Sequence, residues 1–227
     1  MLNENVNFKI LCYTTDNNNI NFINLQKTLN IINLPKYNIW TSDFYYKSLA
    51  VLNYLNQYDN DDIIMVCDAH DVFGINNINN ELLCTSIMNN FNIDSITFNA
   101  EKNCYPDNNL KNIYPNLNSK WNYLNAGLYV GKSANIKNML ISALPEIKNS
   151  MDQRIFTKYY LNNVFNIKLD FKCKVFQTLY MLDDNDLSIN NNIITNNNFN
   201  TQPLLLHGNG NSIYNLKKVY VKKSNEK

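Results

Sequence analysis

The chain has 227 residues, 45% of them hydrophobic and 12% aromatic, which is enough to bury a sizeable core in one domain. Twenty Lys and Arg residues against 19 Asp and Glu residues give a net charge of +1, so no overall field favours nucleic acid or an anionic membrane as a partner. The five cysteines are odd in number and lack Cys-x-x-Cys spacing, which argues against a disulfide framework and a zinc knuckle.

The N-terminal sequence MLNENVNFKI lacks the apolar segment of a secretory signal peptide. No stretch approaches the roughly 20 apolar residues that a membrane-spanning helix needs. We therefore expect a soluble, intracellular protein without a membrane span. We expect a single domain over residues 1–227, with its core at about 8–215 and a solvated basic tail at 216–227.

Apolar runs and periodicities predict alternating strands and helices in the first half of the chain and a less regular second half. The first predicted elements are a strand at 8–13 ending near Thr15, a helix from Ile20 up to Pro35, a strand at 37–40, a helix from Ser42 or Asp43 to about Tyr58, a strand at 63–67, a helix at 81–91 and a strand at 95–98. The later ones are a strand at 123–131, helices near 133–143 and 152–161, and strands at 167–169, 174–179 and 204–206. This order predicts an α/β fold with a mostly parallel central sheet and helices on both faces.

Asp68 and Asp71 directly follow the unbroken apolar run Ile63 to Cys67, which is typical of a strand covered on both faces. Ligands of open α/β sheets bind outside the carboxyl ends of the strands. Two carboxylates three residues apart can converge there on a hard cation such as Mn²⁺ or Mg²⁺. The alternative is a pair of solvated loop aspartates.

The chain has only two histidines, His70 between these aspartates and His207 after a second apolar strand. Imidazole is compatible with Mn²⁺, which makes His207 a candidate third ligand, with an ordinary surface histidine as the alternative. Gly208 and Gly210 leave backbone room for a diphosphate beside it. The sequence has no glycine-rich phosphate loop, so a metal ion and side chains would have to bind any phosphate group. A sugar nucleotide fits this arrangement, because a carboxylate-bound divalent ion neutralises the charge of its departing diphosphate.

Six motifs occur in one order along most of the chain: CDAHDV at 67–72, FNAEKNCYP at 98–106, YLNAG at 123–127, MDQ at 151–153, VFQ at 175–177 and HGNG at 207–210. Together they resemble the glycosyltransferase domain of procollagen lysyl hydroxylases and, more distantly, the collagen galactosyltransferases. The resemblance implies a GT-A-type, Rossmann-like glycosyltransferase that uses UDP-glucose and Mn²⁺. It implies transfer of glucose to galactosyl-hydroxylysine of collagen or a collagen-like protein, with retention of the anomeric configuration.

The resemblance also assigns roles to residues. Asp68, Asp71 and His207 correspond to the metal ligands. Thr15 corresponds to a uridine contact, and His70 stands where a tyrosine usually stacks on uracil.

On the sugar side, Tyr105 replaces a tryptophan, and Asp152 matches the second of two acidic residues while Met151 replaces the first. Glu101 and Asp152 are expected near the sugar and the acceptor, with surface salt bridges as the alternative. Asn125 is expected to make a polar contact to donor or acceptor, with strand-end capping as the alternative.

Other functions stay open from the sequence. One is a hydroxylysine galactosyltransferase or another UDP-sugar glycosyltransferase, because specificity depends on pocket shape and loops. Another is a non-catalytic module that binds a sugar nucleotide or a collagen-like partner, which the presence of all three metal ligands disfavours. No clear nucleophile for double displacement stands out, so retention favours departure of UDP and same-face attack, with a phosphate oxygen taking the acceptor proton. An oligomer is left open as well.

Overall fold

The computed structural model describes residues 7–37, 43–57, 61–191 and 193–212. Within them the strands and α-helices are, in chain order, β1 (Phe8–Tyr13), α1 (Ile20–Thr28), β2 (Ile31–Asn33), α2 (Asp43–Leu55), β3 (Ile63–Asp68), β4 (Val72–Gly74), α3 (Asn80–Asn90), β5 (Ile96–Glu101), β6 (Tyr123–Lys132), α4 (Ser133–Ile147), α5 (Asp152–Leu161), β7 (Ile167–Leu169), β8 (Phe176–Thr178), β9 (Leu187–Asn190), β10 (Ile193–Asn196) and β11 (Leu205–His207). In this part of the chain no helix combines the length and the apolarity needed to cross a membrane.

The central sheet has six strands in the order β2-β1-β3-β6-β5-β7. β1 pairs in parallel with β2 and β3, and β5 pairs in parallel with β7. β6 runs antiparallel to both of its neighbours, β3 and β5. The predicted mostly parallel sheet is therefore confirmed, with one reversed strand at its centre.

Alternate residues of the central strands face two different cores. Leu11 and Val66 pack into a core with residues of α2, α4 and α5, whereas Ile10 and Met65 pack into a core with residues of α1 and α3. The alternation follows from the two-residue period of a strand. It explains why β3 reads as an unbroken apolar run, and it confirms that helices cover both faces.

A second, three-stranded sheet in the order β4-β11-β8 places β11 beside the segment that carries Asp71. β11 pairs antiparallel with β4, so that His207 lies opposite Val72. The backbone N–H of Gly208 donates to the carbonyl of Asp71 at 2.7 Å. This pairing brings His207 beside Asp71 although the two are far apart in sequence.

Some predicted boundaries were wrong. The helix from Ile20 ends at Thr28, and the following residues form β2, because Ile31 and Ile32 pair with Ile10 and Leu11 of β1 as β-branched residues favour. β4 and the hairpin of β9 and β10 were not predicted, and the strand at 174–179 shortens to β8. The predicted strand at 37–40, beyond Tyr37 itself, the cap at Ser42 and the tail at 216–227 lie outside the described residues.

Candidate active site

A pocket of about 380 Å³ opens at the carboxyl ends of β3 and β5. Its lining brings together most of the site residues expected from the sequence, namely Asp68, Asp71, Glu101, Tyr105, Asn125, Asp152, His207 and Gly210. These residues come from eight different elements or loops, and Asn125 is contributed by the reversed strand β6. The location agrees with the rule that α/β sheets bind ligands at strand carboxyl ends.

Asp68, Asp71 and His207 form one cluster on a wall of the pocket. The Nε2 atom of His207 lies 3.3 Å from Oδ2 of Asp71 and 3.7 Å from Oδ2 of Asp68. One ligand atom from each of the three residues lies within 4.8 Å of the others. Two carboxylates and an imidazole are a donor set that suits Mn²⁺, while Mg²⁺ prefers oxygen ligands alone. The residues present therefore fit a divalent ion.

Gly127 leaves the space in which this cluster sits. A Cβ atom at this position would lie 2.1 Å from Cε1 of His207 and 2.8 Å from Oδ2 of Asp68. The backbone reaches this point through an irregularity in β6, since Tyr129 pairs with Phe98 whereas Asn125 pairs with Asn99. The bulge and the missing side chain together let the strand approach the metal-ligand candidates closely.

Opposite charges within the cluster shift the pKa values of His207 and Asp71 in opposite directions. Burial alone lowers the pKa of His207, but the nearby Asp71 and Asp68 carboxylates outweigh it and raise that pKa above its ordinary value. Burial raises the pKa of Asp71, yet His207 and Lys47 bring it below its ordinary value. The site thus favours the ionised form of Asp71, in which a carboxylate binds a cation.

Lys47 of α2 is a site residue that the sequence analysis missed. Its Nζ donates to Oδ1 of Asp68 at 2.7 Å and to the carbonyl of Ala126 at 3.2 Å, and it lies 3.6 Å from Oδ2 of Asp152. Burial lowers the pKa of Lys47, but Asp68 and Asp152 hold it well above its usual range. This ammonium therefore lies between Asp68, a metal-ligand candidate, and the buried carboxylate of Asp152.

Glu101 is buried at the centre of an amide network. Its Oε1 accepts from Asn125 at 3.2 Å and from Gln153 at 2.8 Å, and its Oε2 accepts from Asn209 at 2.9 Å. Burial raises the pKa of Glu101 to about 7, against the opposing effect of these donors. The alternative of a surface salt bridge is wrong for Glu101. Gln153 and Asn209 were missed as individual residues, although both lie inside motifs that carried the resemblance.

Asp152, the first residue of α5, is 2% exposed, so the surface alternative is wrong here too. Its Oδ1 accepts from the backbone N–H of Gln153 at 2.7 Å. Its Oδ2 has no hydrogen-bond partner among the described residues and faces the Lys47 ammonium at 3.6 Å. Burial raises the pKa of Asp152, although Lys47 opposes the shift. Oδ2 of Asp152 is thus a buried carboxylate oxygen beside an ammonium, without a hydrogen bond among the described residues.

Tyr105 and Met151 form part of the pocket rim, and Tyr105 is 49% exposed. The Tyr105 hydroxyl donates to Sδ of Met151 at 3.7 Å, and Gln153 donates to the Tyr105 carbonyl at 2.8 Å. Nearby, Arg154 binds the Asp107 carboxylate through Nε at 2.7 Å and Nη2 at 3.0 Å. The first turn of α5 therefore holds the loop that presents the Tyr105 ring.

Thr15, His70 and Gly208 do not line this pocket. Nε2 of His70 lies 2.7 Å from Oγ1 of the buried Thr14, which orients the half-buried ring. The Thr15 carbonyl accepts from Nζ of Lys36 at 2.6 Å. Thr15 and the contact between Thr14 and His70 therefore lie just after β1, outside the pocket. Gly208 contacts Asp71 through its backbone N–H, as described above.

Gly210 lines the pocket in a conformation that suits glycine. Its φ of +59° lies in the left-handed region, and a Cβ there would lie 3.5 Å from the Tyr180 ring. The side chain of the neighbouring Asn209 accepts from the backbone N–H of Tyr180 at 3.1 Å. The turn after β11 therefore packs closely against the loop after β8.

Comparison with known proteins gives a matching family model and several relatives. A family model described as PLOD GT domain matches residues 46–225. The "Uncharacterized protein R699" of Acanthamoeba polyphaga mimivirus is 30% identical over 148 residues, which are 65% of this chain and 31% of that protein. The "Multifunctional procollagen lysine hydroxylase and glycosyltransferase" of Caenorhabditis elegans is 30% identical over 158 residues, 66% of this chain and 21% of that protein. The chain thus spans less than a third of the length of these relatives.

A solved structure is similar over nearly the whole fold. The crystal structure of a glycosyltransferase involved in the glycosylation of the major capsid of PBCV-1 aligns with a TM-score of 0.59 at 9% identity, covering 94% of this chain and 99% of that one. At such low identity the likeness concerns the fold alone. It confirms the expected GT-A-type glycosyltransferase fold.

Proposed function

The chain belongs to the PLOD GT domain family of glycosyltransferases, and we propose that it transfers glucose from UDP-glucose to galactosyl-hydroxylysine of collagen or a collagen-like protein. We further propose that the reaction needs Mn²⁺ and retains the anomeric configuration. The observation that carries the proposal is the convergence of Asp68, Asp71 and His207 in the same pocket as the buried Asp152. Glycosyl transfer requires a metal site for the donor diphosphate and a polar group for the acceptor hydroxyl within one pocket.

The metal-ligand candidates support the donor half of the proposal. A divalent ion held by Asp68, Asp71 and His207 would neutralise the charge that develops on the departing diphosphate. The imidazole favours Mn²⁺ over Mg²⁺. Lys47 adds a fixed positive charge beside Asp68 and keeps its Oδ1 engaged, which leaves Oδ2 directed towards His207. The uridine would lie beyond Asp71, against His70 and the end of β1.

The two buried carboxylates have different roles in this proposal. Both oxygens of Glu101 are occupied by amide donors, so Glu101 orders Asn125, Gln153 and Asn209 around the sugar. In this proposal Oδ2 of Asp152, which has no hydrogen-bond partner among the described residues, accepts a hydrogen bond from a sugar or acceptor hydroxyl. An occupied Glu101 is a poor nucleophile, which supports same-face attack with a phosphate oxygen taking the acceptor proton.

The acceptor proposal draws on the relatives and on the pocket rim. The C. elegans relative is named for procollagen lysine hydroxylation and glycosyl transfer. In this chain the exposed ring of Tyr105 offers an aromatic surface on which a hexose can pack. Met151, whose sulfur accepts from the Tyr105 hydroxyl, stands where the family resemblance has an acidic residue, and it makes this side of the rim less acidic.

Release of UDP tests the proposal. The protein would be incubated with UDP-glucose or UDP-galactose, with and without Mn²⁺, and with and without a peptide carrying galactosyl-hydroxylysine. We expect fastest release with UDP-glucose, Mn²⁺ and peptide together, and we expect Asp71→Asn to abolish it. Preference for UDP-galactose and unmodified hydroxylysine would instead identify a galactosyltransferase. Binding of UDP-sugar without any release would identify a binding module.

A further inference from the structure

The amide of Asn99 lies against the ring of His207 on the side opposite the aspartates. Asn99 sits in β5, is 0% exposed, and has Nδ2 at 3.5 Å from Nδ1 of His207. Its Oδ1 has no hydrogen-bond partner among the described residues. Buried side-chain oxygens are normally hydrogen-bonded, so this atom calls for an explanation.

The need of a metal-binding imidazole for a hydrogen-bond acceptor explains the unpartnered oxygen of Asn99. Nε2 of His207 faces Asp68 and Asp71, so a metal ion shared with them must bind this nitrogen. A neutral imidazole that binds metal through Nε2 carries its proton on Nδ1, which then needs an acceptor. An amide NH₂ group cannot accept, whereas an amide oxygen can.

Asn99 can present either group at the same place. The oxygen and nitrogen of a side-chain amide exchange positions by a half turn of the amide, and their assignment rests on the surrounding hydrogen bonds. With Nδ2 towards His207, the histidine proton resides on Nε2 and faces Asp71. With Oδ1 towards His207, the proton resides on Nδ1 and Nε2 is free to bind metal.

We propose that Asn99 is a positioning residue of the metal site, whose Oδ1 accepts a hydrogen bond from Nδ1–H of His207 and so fixes the metal-binding tautomer. The inference rests on the proposed function, since it presumes that His207 is a ligand. The strand supports it: Asn99 pairs with Asn125 at the irregularity of β6, and it is held too deep for its amide to turn to water. Asn99 itself touches neither substrate nor metal.

Affinity for Mn²⁺ alone tests this role, measured by electron paramagnetic resonance of free Mn²⁺ without any sugar donor. Asn99→Leu removes the acceptor at similar size and should raise the Kd about 10–100-fold, the usual loss for a partner of a ligand histidine. Asn99→Asp keeps an acceptor facing Nδ1 and should bind at least as tightly as wild type. A folded leucine variant with the wild-type Kd, or an aspartate variant as weak as the leucine one, would overturn the proposal.

The wild-type protein gives an independent measurement. The two histidines make ¹⁵N spectra of the imidazoles simple, and His70→Gln assigns the remaining one. With Zn²⁺ as a diamagnetic probe, we expect His207 to be protonated at Nδ1 and bound through Nε2. A metal-bound or deprotonated Nδ1 would overturn the role of Asn99 even if the leucine variant did not fold. If wild type bound neither ion, the metal site of the proposed function would fail too, whereas equal binding by wild type and Asn99→Leu would reject Asn99 alone.

Discussion

Replacement of Gly127 by alanine perturbs the proposed metal site with a single methyl group. The added Cβ would lie 2.1 Å from Cε1 and 2.7 Å from Nε2 of His207, and 2.8 Å from Oδ2 of Asp68, where ordinary contacts are 3.4–4 Å. The Asp68 carboxylate is partly exposed and can turn, but His207 is 2% exposed and held against β4 and β8. The imidazole must therefore shift by on the order of 1 Å, a displacement that can reduce a rate by about 10²-fold.

We expect Gly127→Ala to fold with a loss of about 1–3 kcal/mol, as for an extra methyl group in a packed region. We expect its Kd for Mn²⁺ to rise by about 10-fold or more, since a displaced ligand costs more than a lost supporting contact. Urea unfolding gives the stability, and calorimetric titration with Mn²⁺ gives the affinity. Both use protein without a sugar donor, so the result depends only on the cluster.

Gly131→Ala is the matched control on the same strand. Its Cβ would lie 3.0 Å from the carbonyl oxygen of Ser95, far from the metal-ligand candidates, so it should lower stability without changing the Kd for Mn²⁺. Wild-type Mn²⁺ affinity in a folded Gly127→Ala protein would refute the reasoning. Equal losses of affinity in both variants would attribute the effect to general strain in β6.

Three other predictions follow from buried groups and from the β1 end. Lys47→Met leaves the Asp68 and Asp152 carboxylates without their shared cation, so we expect its free energy of unfolding in urea to fall by about 3 kcal/mol. Adding Asp152→Asn should restore part of this loss. A urea midpoint equal to that of wild type would contradict the prediction. Because burial raises the pKa of Glu101 from 4.5 to about 7, the folded state binds the extra proton in that range, so stability should fall as pH rises through it, by up to about 3 kcal/mol. Glu101→Gln should flatten this part of the stability profile, and identical profiles would refute the shift. If His70 stacks on uracil, calorimetry should find weaker UDP binding in His70→Ala and unchanged or tighter binding in His70→Tyr; an alanine variant that binds UDP as wild type does would remove His70 from the donor site.

The parts of the site that sequence could predict are those with a local pattern. Asp68 and Asp71 could be predicted because a buried strand ends directly before them, and His207 because it follows another apolar strand in a chain with two histidines. Lys47 could not, because a lysine on a helix is usually solvated and its burial comes from α2 lying over Asp68 and the carbonyl of Ala126. Such burial is a tertiary property without a local signal.

Sequence patterns that fit more than one structure account for the errors in the predicted fold. The apolar spacing of α1 continues through Leu29 and Ile32, so periodicity alone extends the helix into β2; pairing with β1 decides the structure. The need for glycine at position 127 depends on a bulge in β6 and on His207, which arrives from 80 residues later in the chain. Neither feature can be seen in the residues around Gly127.

The most direct test of the central claim is the mass of the acceptor peptide after reaction. A peptide carrying galactosyl-hydroxylysine would be incubated with UDP-glucose and Mn²⁺, and compared with the same mixture containing a chelator and with the His207→Ala protein. We predict a gain of one hexose in the complete mixture and none in the other two. A hexose added equally in the presence of chelator, or equally by His207→Ala, would contradict a transferase whose metal ion is held by Asp68, Asp71 and His207.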